Sequence, residues 1–230
     1  PPGKNEVLVK VKYASLCHSD LSVINGSRPR PVPMALGHEG SGVIVQLGDD
    51  VDNFAVDDHI VFVFVPSCGK CLSCLEGKPS LCDPGLESNV NGTLLSGEKK
   101  IFLNGKAINH HVGVSCFSQY VVVSTKSIVK VDKGIPLSEA ALFGCAVITG
   151  AGAVFNTAKI RPGSSTAVIG LGGTGLAAIM GSKASGASTI IGVDLIDEKL
   201  ELAKNLGATH VINAKEKNVI NQIKSISSSG

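Results

Sequence analysis

The chain has 230 residues, 43% of them hydrophobic, with 21 basic side chains against 19 acidic ones and a formal net charge of +2. That is enough apolar material for a substantial core and enough length for two domains. No basic run calls for a phosphate backbone as partner, and the longest apolar stretch, "ALFGCAVITGAGAVF", is cut by glycines and falls short of the roughly 18–20 residues of a membrane span, so nucleic acid and bilayer are set aside and a globular protein is expected.

The first residues, "PPGKNEVLVKVKYAS", carry no initiating Met and already alternate as a strand does. The sequence is therefore expected to lack its natural start, so a targeting segment before residue 1 is left open. From Glu6 to about Lys130, the Val- and Ile-rich runs "EVLVKVKY", "SGVIVQLG", "HIVFVFV" and "QYVVV" are separated by Gly, Asp, Asn or Pro, which predicts an irregular β domain. Two residues inside it stand at loop-like junctions, Cys17 in "CHSD" and His38 in "GHEG". Taken singly, such a cysteine is a buried apolar group and such a histidine a hydrogen-bonded one.

Four of the seven cysteines then fall within residues 68–82, "CGKCLSCLEGKPSLC". Cys68, Cys71, Cys74 and Cys82 follow a Cys-x2-Cys-x2-Cys-x7-Cys spacing that lets a tight loop wrap one tetrahedral ion, for which zinc is the best fit. A closed shell of four thiolates leaves no position for a substrate, so this site braces a loop. Disulfides, a redox Cys-x-x-Cys pair and an iron–sulfur cluster are the alternatives for the same spacing. Clustered thiols bind metal more often than they bridge in a reducing compartment, and on that ground alone a cytoplasmic location is expected. Cys116 reads as a free buried thiol, and His110 and His111 receive no role.

After "KGIPLSEAALFGC", where Pro136 and Ser138 mark a helix entrance, the pattern becomes strand, glycine turn, helix, strand, helix and the start of a third strand. A boundary near Ala146 gives domains 1–146 and 147–230, the second of parallel α/β type. "AVIGLGGTGLAAI" places Gly170, Gly172 and Gly175, with Gly173 among them, as Gly-x-Gly-x-x-Gly directly between a strand and a helix. These glycines permit a tight turn, close approach of backbone to a pyrophosphate, and a helix N-terminus aimed at the negative charge. Asp194 ends the next strand, where a carboxylate accepts from a ribose and repels a 2′-phosphate, so NAD is expected rather than NADP. Lys199 lies five residues further on. The final "SISSSG" reads as a frayed or cut end. Cys145, in "FGCAVITG", stands where the β domain passes into the nucleotide-binding pattern, and a Cys17–His38–Cys145 site would leave one zinc position open, as catalysis requires.

Together "CHSD", "GHEGSGVIVQLG", the four-cysteine loop, "FGCAVITG" and "GLGGTGL" with "IGVDLIDEKL" resemble the zinc-dependent alcohol dehydrogenases of the medium-chain dehydrogenase/reductase superfamily, essentially from end to end. "FLNGKAINHHVGVSCFSQYVVV" is similar to the branch that contains the liver-type and glutathione-dependent formaldehyde enzymes. The resemblance implies a GroES-like β domain followed by the first half of a Rossmann domain. It implies two zinc ions, one structural and one catalytic at Cys17, His38 and Cys145, the Cys2His arrangement being carried over from that family. Glu39 would stand close behind the catalytic ion. Ser19 would take the proton of the alcohol, its hydroxyl lying on the side of Cys17 if the segment is extended. His18 would lie near the cofactor pyrophosphate, Thr149 at the nicotinamide, Lys199 at the ribose and Phe64 in the substrate pocket.

The activity implied is hydride transfer between a primary or secondary alcohol and NAD, giving aldehyde or ketone, by a full-length homodimer or homotetramer. The rivals are a glutathione-dependent formaldehyde dehydrogenase, a catalytically silent nucleotide-binding relative, and a zinc adaptor that uses only the cysteine loop. One departure stands out. Ser22 occupies a position where many relatives carry a histidine that hands the proton onward, so proton release is expected to run through water.

Overall fold

The computed structural model describes residues 1–227, and the chain divides into two compact units, Pro1–Cys145 and the remainder from Ala146. In the first unit β1 (Glu6–Ser15), β3 (Glu39–Leu47), β4 (His59–Phe62), β7 (Tyr120–Ser124) and β8 (Ile128–Lys130) form an antiparallel sheet in the order β7-β1-β3-β4-β8. A second sheet is built from β2 (Met34–Ala35), β5 (Ile101–Leu103) and β6 (Lys106–His110) in the order β2-β6-β5. Period-2 alternation puts Val7 and Val9 of β1 on the inner face, where they pack with Ile44, Ile60, Phe62, Val121 and Val123. Between the strands lie α1 (His18–Ile24), α2 (Leu72–Leu75), α3 (Asp83–Asn91) and α4 (Leu137–Ala140).

The second unit opens with α5 (Ile148–Gly152) and continues as β9 (Ser165–Ile169), α6 (Gly173–Ala184), β10 (Thr189–Asp194), α7 (Asp197–Leu206), β11 (His210–Asn213) and α8 (Val219–Ser227). The three strands are parallel in the order β11-β10-β9. One face of this sheet buries Leu171, Ile179, Ile190, Leu200 and Ala203 beneath α6 and α7; the other buries Ile191, Val193 and Ile212 against Val219, Ile223 and Ile226 of α8. Helices on both faces of a parallel sheet are the half-Rossmann pattern. Among the described residues, no helix is long and apolar enough to cross a membrane.

Three local expectations need correction. The "CHSD" segment is the start of α1 and not extended, because Cys17 is the N-cap and Asp20 turns back to accept the Cys17 N–H at 3.3 Å. "HIVFVFV" pairs only as far as Phe62, after which Val63 N–H donates to the Ser127 carbonyl at 2.8 Å and the chain leaves the sheet. The third strand is followed by a full helix, α8, whose Val219, Ile223 and Ile226 recur at helical spacing; of the terminal "SISSSG" whose fraying was expected, Ser225–Ser227 end that helix and residues 228–230 lie outside the described residues.

Candidate active site and metal centres

Three elements meet at Cys17, His38 and Cys145. Cys17 holds the extended N-cap conformation of α1, at φ −107° and ψ 148°, with its thiol facing the first-turn N–H groups of that helix. His38 immediately precedes β3, and Cys145 lies in the wide turn Phe143–Val147 that follows α4. That helix is tied to β3 by the Ser41 hydroxyl, which donates to the Leu137 carbonyl at 2.6 Å. The possible donor atoms of these three residues all lie within 4.8 Å of one another, with His38 Nε2 3.5 Å from Cys145 Sγ.

Asp20 organises this cluster. Only 2% exposed, it accepts from the Gly37 N–H at 3.0 Å through Oδ1, and the same oxygen lies 3.3 Å from His38 Nδ1 and 3.6 Å from His111 Nε2. A carboxylate on Nδ1 fixes the ring and leaves Nε2 for the metal. Burial works against charge on Asp20, but the His38 contact outweighs it and holds the carboxyl below its usual range. Burial likewise opposes protonation of His38, yet its hydrogen bonds to Asp20 and Cys145 raise it to about 10. Burial would raise Cys17, but bonds from the Ser19 backbone and side chain bring it down. Burial raises Cys145 despite His38, helped by Cys17 and Glu39. Two sulfurs and an imidazole that share protons this tightly form a cation site, in which a divalent ion replaces the protons. The soft sulfur and imidazole set fits zinc with one position left open.

A cleft of about 170 Å³ contains His38 and Cys145 and is walled by Ser19, Phe64 and His111. Phe64 meets the His38 ring edge-on, with centroids 5.8 Å apart. Ser19 stands beside Cys17 because both belong to one helix start, and not through strand alternation. Glu39, 2% exposed, opens β3 behind the cluster. His18 is exposed at the first position of α1, where its Nδ1 lies 3.3 Å from the Ser22 hydroxyl, and that hydroxyl donates to the His18 carbonyl at 2.9 Å. A larger cleft of about 520 Å³, lined by Lys4, Glu6, Lys70 and Lys126, holds none of the Cys17–His38–Cys145 donors.

The sulfurs of Cys68, Cys71, Cys74 and Cys82 also lie within 4.8 Å of one another, and all seven cysteines of the chain are free. Backbone N–H groups support the cage: Cys68 Sγ accepts from Lys70 at 3.4 Å and Cys71 at 3.3 Å, and Cys82 Sγ accepts from Cys68 at 3.2 Å and Gly85 at 3.4 Å. The donors at Cys68 Sγ bring that thiol down to about 6, whereas burial and the neighbouring thiols push Cys74 up to about 12. Four sulfurs without an oxygen or water position fit a closed, structural zinc.

In the second unit Gly170 has φ +89° and Gly172 caps α6, with Gly173 and Gly175 in its first turn. A Cβ on Gly175 would run into the Gly170 carbonyl oxygen, whereas Gly170 and Gly172 face open space. The turn is thus tight against the helix and open toward a ligand, with first-turn N–H groups unclaimed by the helix. Asp194 Oδ2 accepts from Leu171 N–H at 2.7 Å and Oδ1 from Ile196 N–H at 3.1 Å, and Lys199 Nζ lies 3.9 Å away. The Leu171 bond, ahead of burial, holds the carboxyl below its ordinary range. It stays ionised with lone pairs to spare, as a ribose hydroxyl requires. Thr149 is exposed on α5.

Residues 3–133 match the family model described as the alcohol dehydrogenase GroES-like domain, and residues 173–230 match zinc-binding dehydrogenase. This chain is a member of the zinc-dependent alcohol dehydrogenase family. Among curated relatives, alcohol dehydrogenase class-3 of Caenorhabditis elegans is 45% identical over 94% of this chain and 56% of the relative. S-(hydroxymethyl)glutathione dehydrogenase of Synechocystis sp. is 41% identical over 94% and 59%. Benzyl alcohol dehydrogenase from Acinetobacter calcoaceticus superimposes with a TM-score of 0.91 at 40% identity, covering 100% of this chain and 62% of that structure. An alcohol dehydrogenase zinc-binding domain protein from Burkholderia ambifaria gives 0.93 at 38% identity, with the same coverage. The chain thus spans a little over half the length of these relatives.

Sequence reasoning passed over Asp20 and His111. Asp20 could have been found as the acidic residue at the third position of a helix whose cap is Cys17; nothing local distinguishes His111 from His110.

Proposed function

We propose that this chain is the catalytic and first cofactor-binding part of a zinc- and NAD-dependent alcohol dehydrogenase, acting on primary or secondary alcohols or, in reverse, on aldehydes and ketones. Residues 1–146 form its GroES-like catalytic domain and residues 147–230 the first half of its NAD-binding domain. The observation that carries this reading is the convergence of Cys17, His38 and Cys145 donors within 4.8 Å in a cleft that also contains Ser19, apart from a closed four-cysteine cage. When bound, zinc supplies a Lewis acid for the substrate oxygen and NAD supplies the hydride acceptor.

The chain's own residues do the rest. Cys17, His38 and Cys145 hold the ion, Asp20 holds the imidazole, and Glu39 stands behind the set. Ser19 Oγ accepts the proton leaving the alcohol, and Phe64 keeps water from one wall of the cleft. His18 lies toward the pyrophosphate and Thr149 toward the nicotinamide. Gly170, Gly172, Gly173 and Gly175 admit the pyrophosphate, while Asp194 and Lys199 hold the ribose. With Ser22 bonded back onto its own helix, the proton leaves through water. The intact Cys17, His38, Cys145 and Ser19 argue against a silent relative. We further propose a cytoplasmic homodimer or homotetramer, a location supported by seven free thiols.

The names of the two curated relatives favour a second reading, a formaldehyde dehydrogenase that requires glutathione. Assay of the whole protein with NAD tests both. Turnover of simple alcohols that stops with Cys145→Ser or Ser19→Ala supports the first reading; turnover of formaldehyde only when glutathione is present supports the second; no NAD-dependent turnover of either defeats both.

A further inference from the structure

The cleft of about 520 Å³ lies within the first unit, and its walls come from four stretches far apart in sequence: residues 4–6, the start of the cysteine loop, residues 95–96 and the end of β7. Three of these stretches each supply a lysine, Lys4, Lys70 and Lys126. Lys4 pairs with Asp50 at 2.6 Å, whereas among the described residues neither Lys70 nor Lys126 forms an ion pair. The carboxylate in the lining, Glu6, is engaged elsewhere: Oε2 accepts from Gly3 N–H at 2.8 Å and Oε1 from the Ser96 hydroxyl at 2.7 Å. Only 2% exposed, Glu6 thereby ties together two walls that are 90 residues apart in the chain.

The other walls are pinned too. Asn5, at φ +56°, donates its N–H to the Asp49 carbonyl at 2.8 Å, and its own carbonyl accepts from Thr125 N–H at 2.9 Å. Lys126 N–H donates to the Ser124 hydroxyl at 3.2 Å, and Lys70 N–H to Cys68 Sγ at 3.4 Å. The cleft is thus preformed, with two unpaired ammonium groups on fixed backbone and an apolar surface at Pro84 and Leu95. Its size is that of a small-molecule site, about 300–1,000 Å³. Asp52 lines an adjoining hollow that shares Asn5 and Lys126, so a ligand competes with it for Lys126.

We propose that this cleft is a second ligand site, separate from the Cys17–His38–Cys145 set, for a small organic phosphate monoester. Lys70 and Lys126 hold the phosphate, and the organic body rests on Pro84 and Leu95. Ammonium groups are point charges without the planar fork that matches a carboxylate, and a phosphate monoester brings a charge of about −1.5 to −2 near neutral pH, enough to answer both lysines. The lysines are exposed, so the attraction weakens as salt rises.

Isothermal titration calorimetry of the whole zinc-loaded protein, with NAD present to fill the glycine turn at Gly170, tests this with phenyl phosphate, benzoate, phenol and inorganic phosphate. Phenyl phosphate should bind saturably and at least about tenfold more tightly than each of the other three, with an affinity that falls as salt rises. Joint replacement, Lys70→Gln with Lys126→Gln, should weaken it at least about tenfold while Tm and zinc content stay unchanged, because both side chains are exposed and unpaired. Lys70→Arg with Lys126→Arg should keep most of the affinity. No saturable binding of phenyl phosphate, or binding that the glutamine pair leaves unchanged, overturns the site. Equal affinity for benzoate overturns the phosphate assignment, and equal affinity for inorganic phosphate reduces the cleft to an adventitious ion only.

Discussion

His38 and His110 are both buried, at 3% and 0% exposure, and titrate in opposite directions because of what faces them. His38 faces Asp20 and Cys145 and is raised, whereas His110 offers Nε2 to the Lys100 N–H at 3.1 Å and burial pushes it down to about 4. The unfolded chain binds this proton below about pH 6.5, and the folded chain does so only near 4. Between those values the unfolded state holds more protons, so stability rises with pH across the window and is lost as pH falls through it, by about 3 kcal/mol at full extent. His110→Gln, which keeps an acceptor for Lys100, should flatten the dependence of the urea midpoint on pH between 4 and 6.5; an unchanged slope would remove His110 as its source. Asp194 carries a second residue-scale prediction. Asp194→Gly removes the ribose acceptor, the repulsion of a 2′-phosphate and the partner of Leu171 N–H, so the ratio of NADP to NAD use in the whole protein should rise at least about tenfold, equivalent to about 1.4 kcal/mol. Steady-state kinetics with both cofactors measures it, and an unmoved ratio would mean that Asp194 does not face the ribose.

At the scale of elements, the glycine turn before α6 separates two kinds of requirement. Gly175→Ala brings a Cβ against the Gly170 carbonyl, a backbone clash that nothing flexible can relieve, whereas Gly170→Ala meets open space and suffers only from φ +89°. The expected losses are about 3 kcal/mol or more for Gly175→Ala and about 1–2 kcal/mol for Gly170→Ala, read from denaturant midpoints; equal losses would contradict this division. Strands were the most legible elements. The alternation in "EVLVKVKY" and the apolar runs of "TIIGVD" appear as β1 and β10 because one buried face, or two, leaves a direct trace in residue type. Helix α1 was not legible: its N-cap is a cysteine, outside the usual Ser, Thr, Asp and Asn set, and a two-residue offset from Cys17 to Ser19 suits a strand as well as a helix start. Helix α8 was hidden by the polar run that follows its last apolar residue, Ile226. The four-cysteine cage could be read from spacing alone. Cys17, His38 and Cys145 come from three elements, with Cys145 107 residues from His38 and 128 from Cys17, so their positions at junctions made them a candidate set and the likeness to a known family made them a site. The contacts of Asp20 with His38 and His111 depend on tertiary proximity, which no local pattern records, although the place of Asp20 in the first turn of α1 is a local one.

For the molecule as a whole, the two units rest on different supports. Both units have an apolar core, which in the second lies on both faces of its parallel sheet, and the first also contains three groups of possible metal donors, two of which share His38. On the proposed reading, metal at the closed cluster would supply folding energy and metal at the open one chemistry. Cys74→Ser should therefore lower Tm by on the order of 10 °C and Cys145→Ser by much less, as thermal melts of the zinc-loaded chain would read. The central claim is that the chain builds two separate zinc sites, one closed and one open. Counting zinc per chain by plasma mass spectrometry, in the natural sequence and in the Cys74→Ser and Cys145→Ser variants, tests it most directly. Two ions are expected in the unsubstituted chain and one in each variant; a single ion in the unsubstituted chain, or the loss of both on replacing Cys145, would rule out two separate sites.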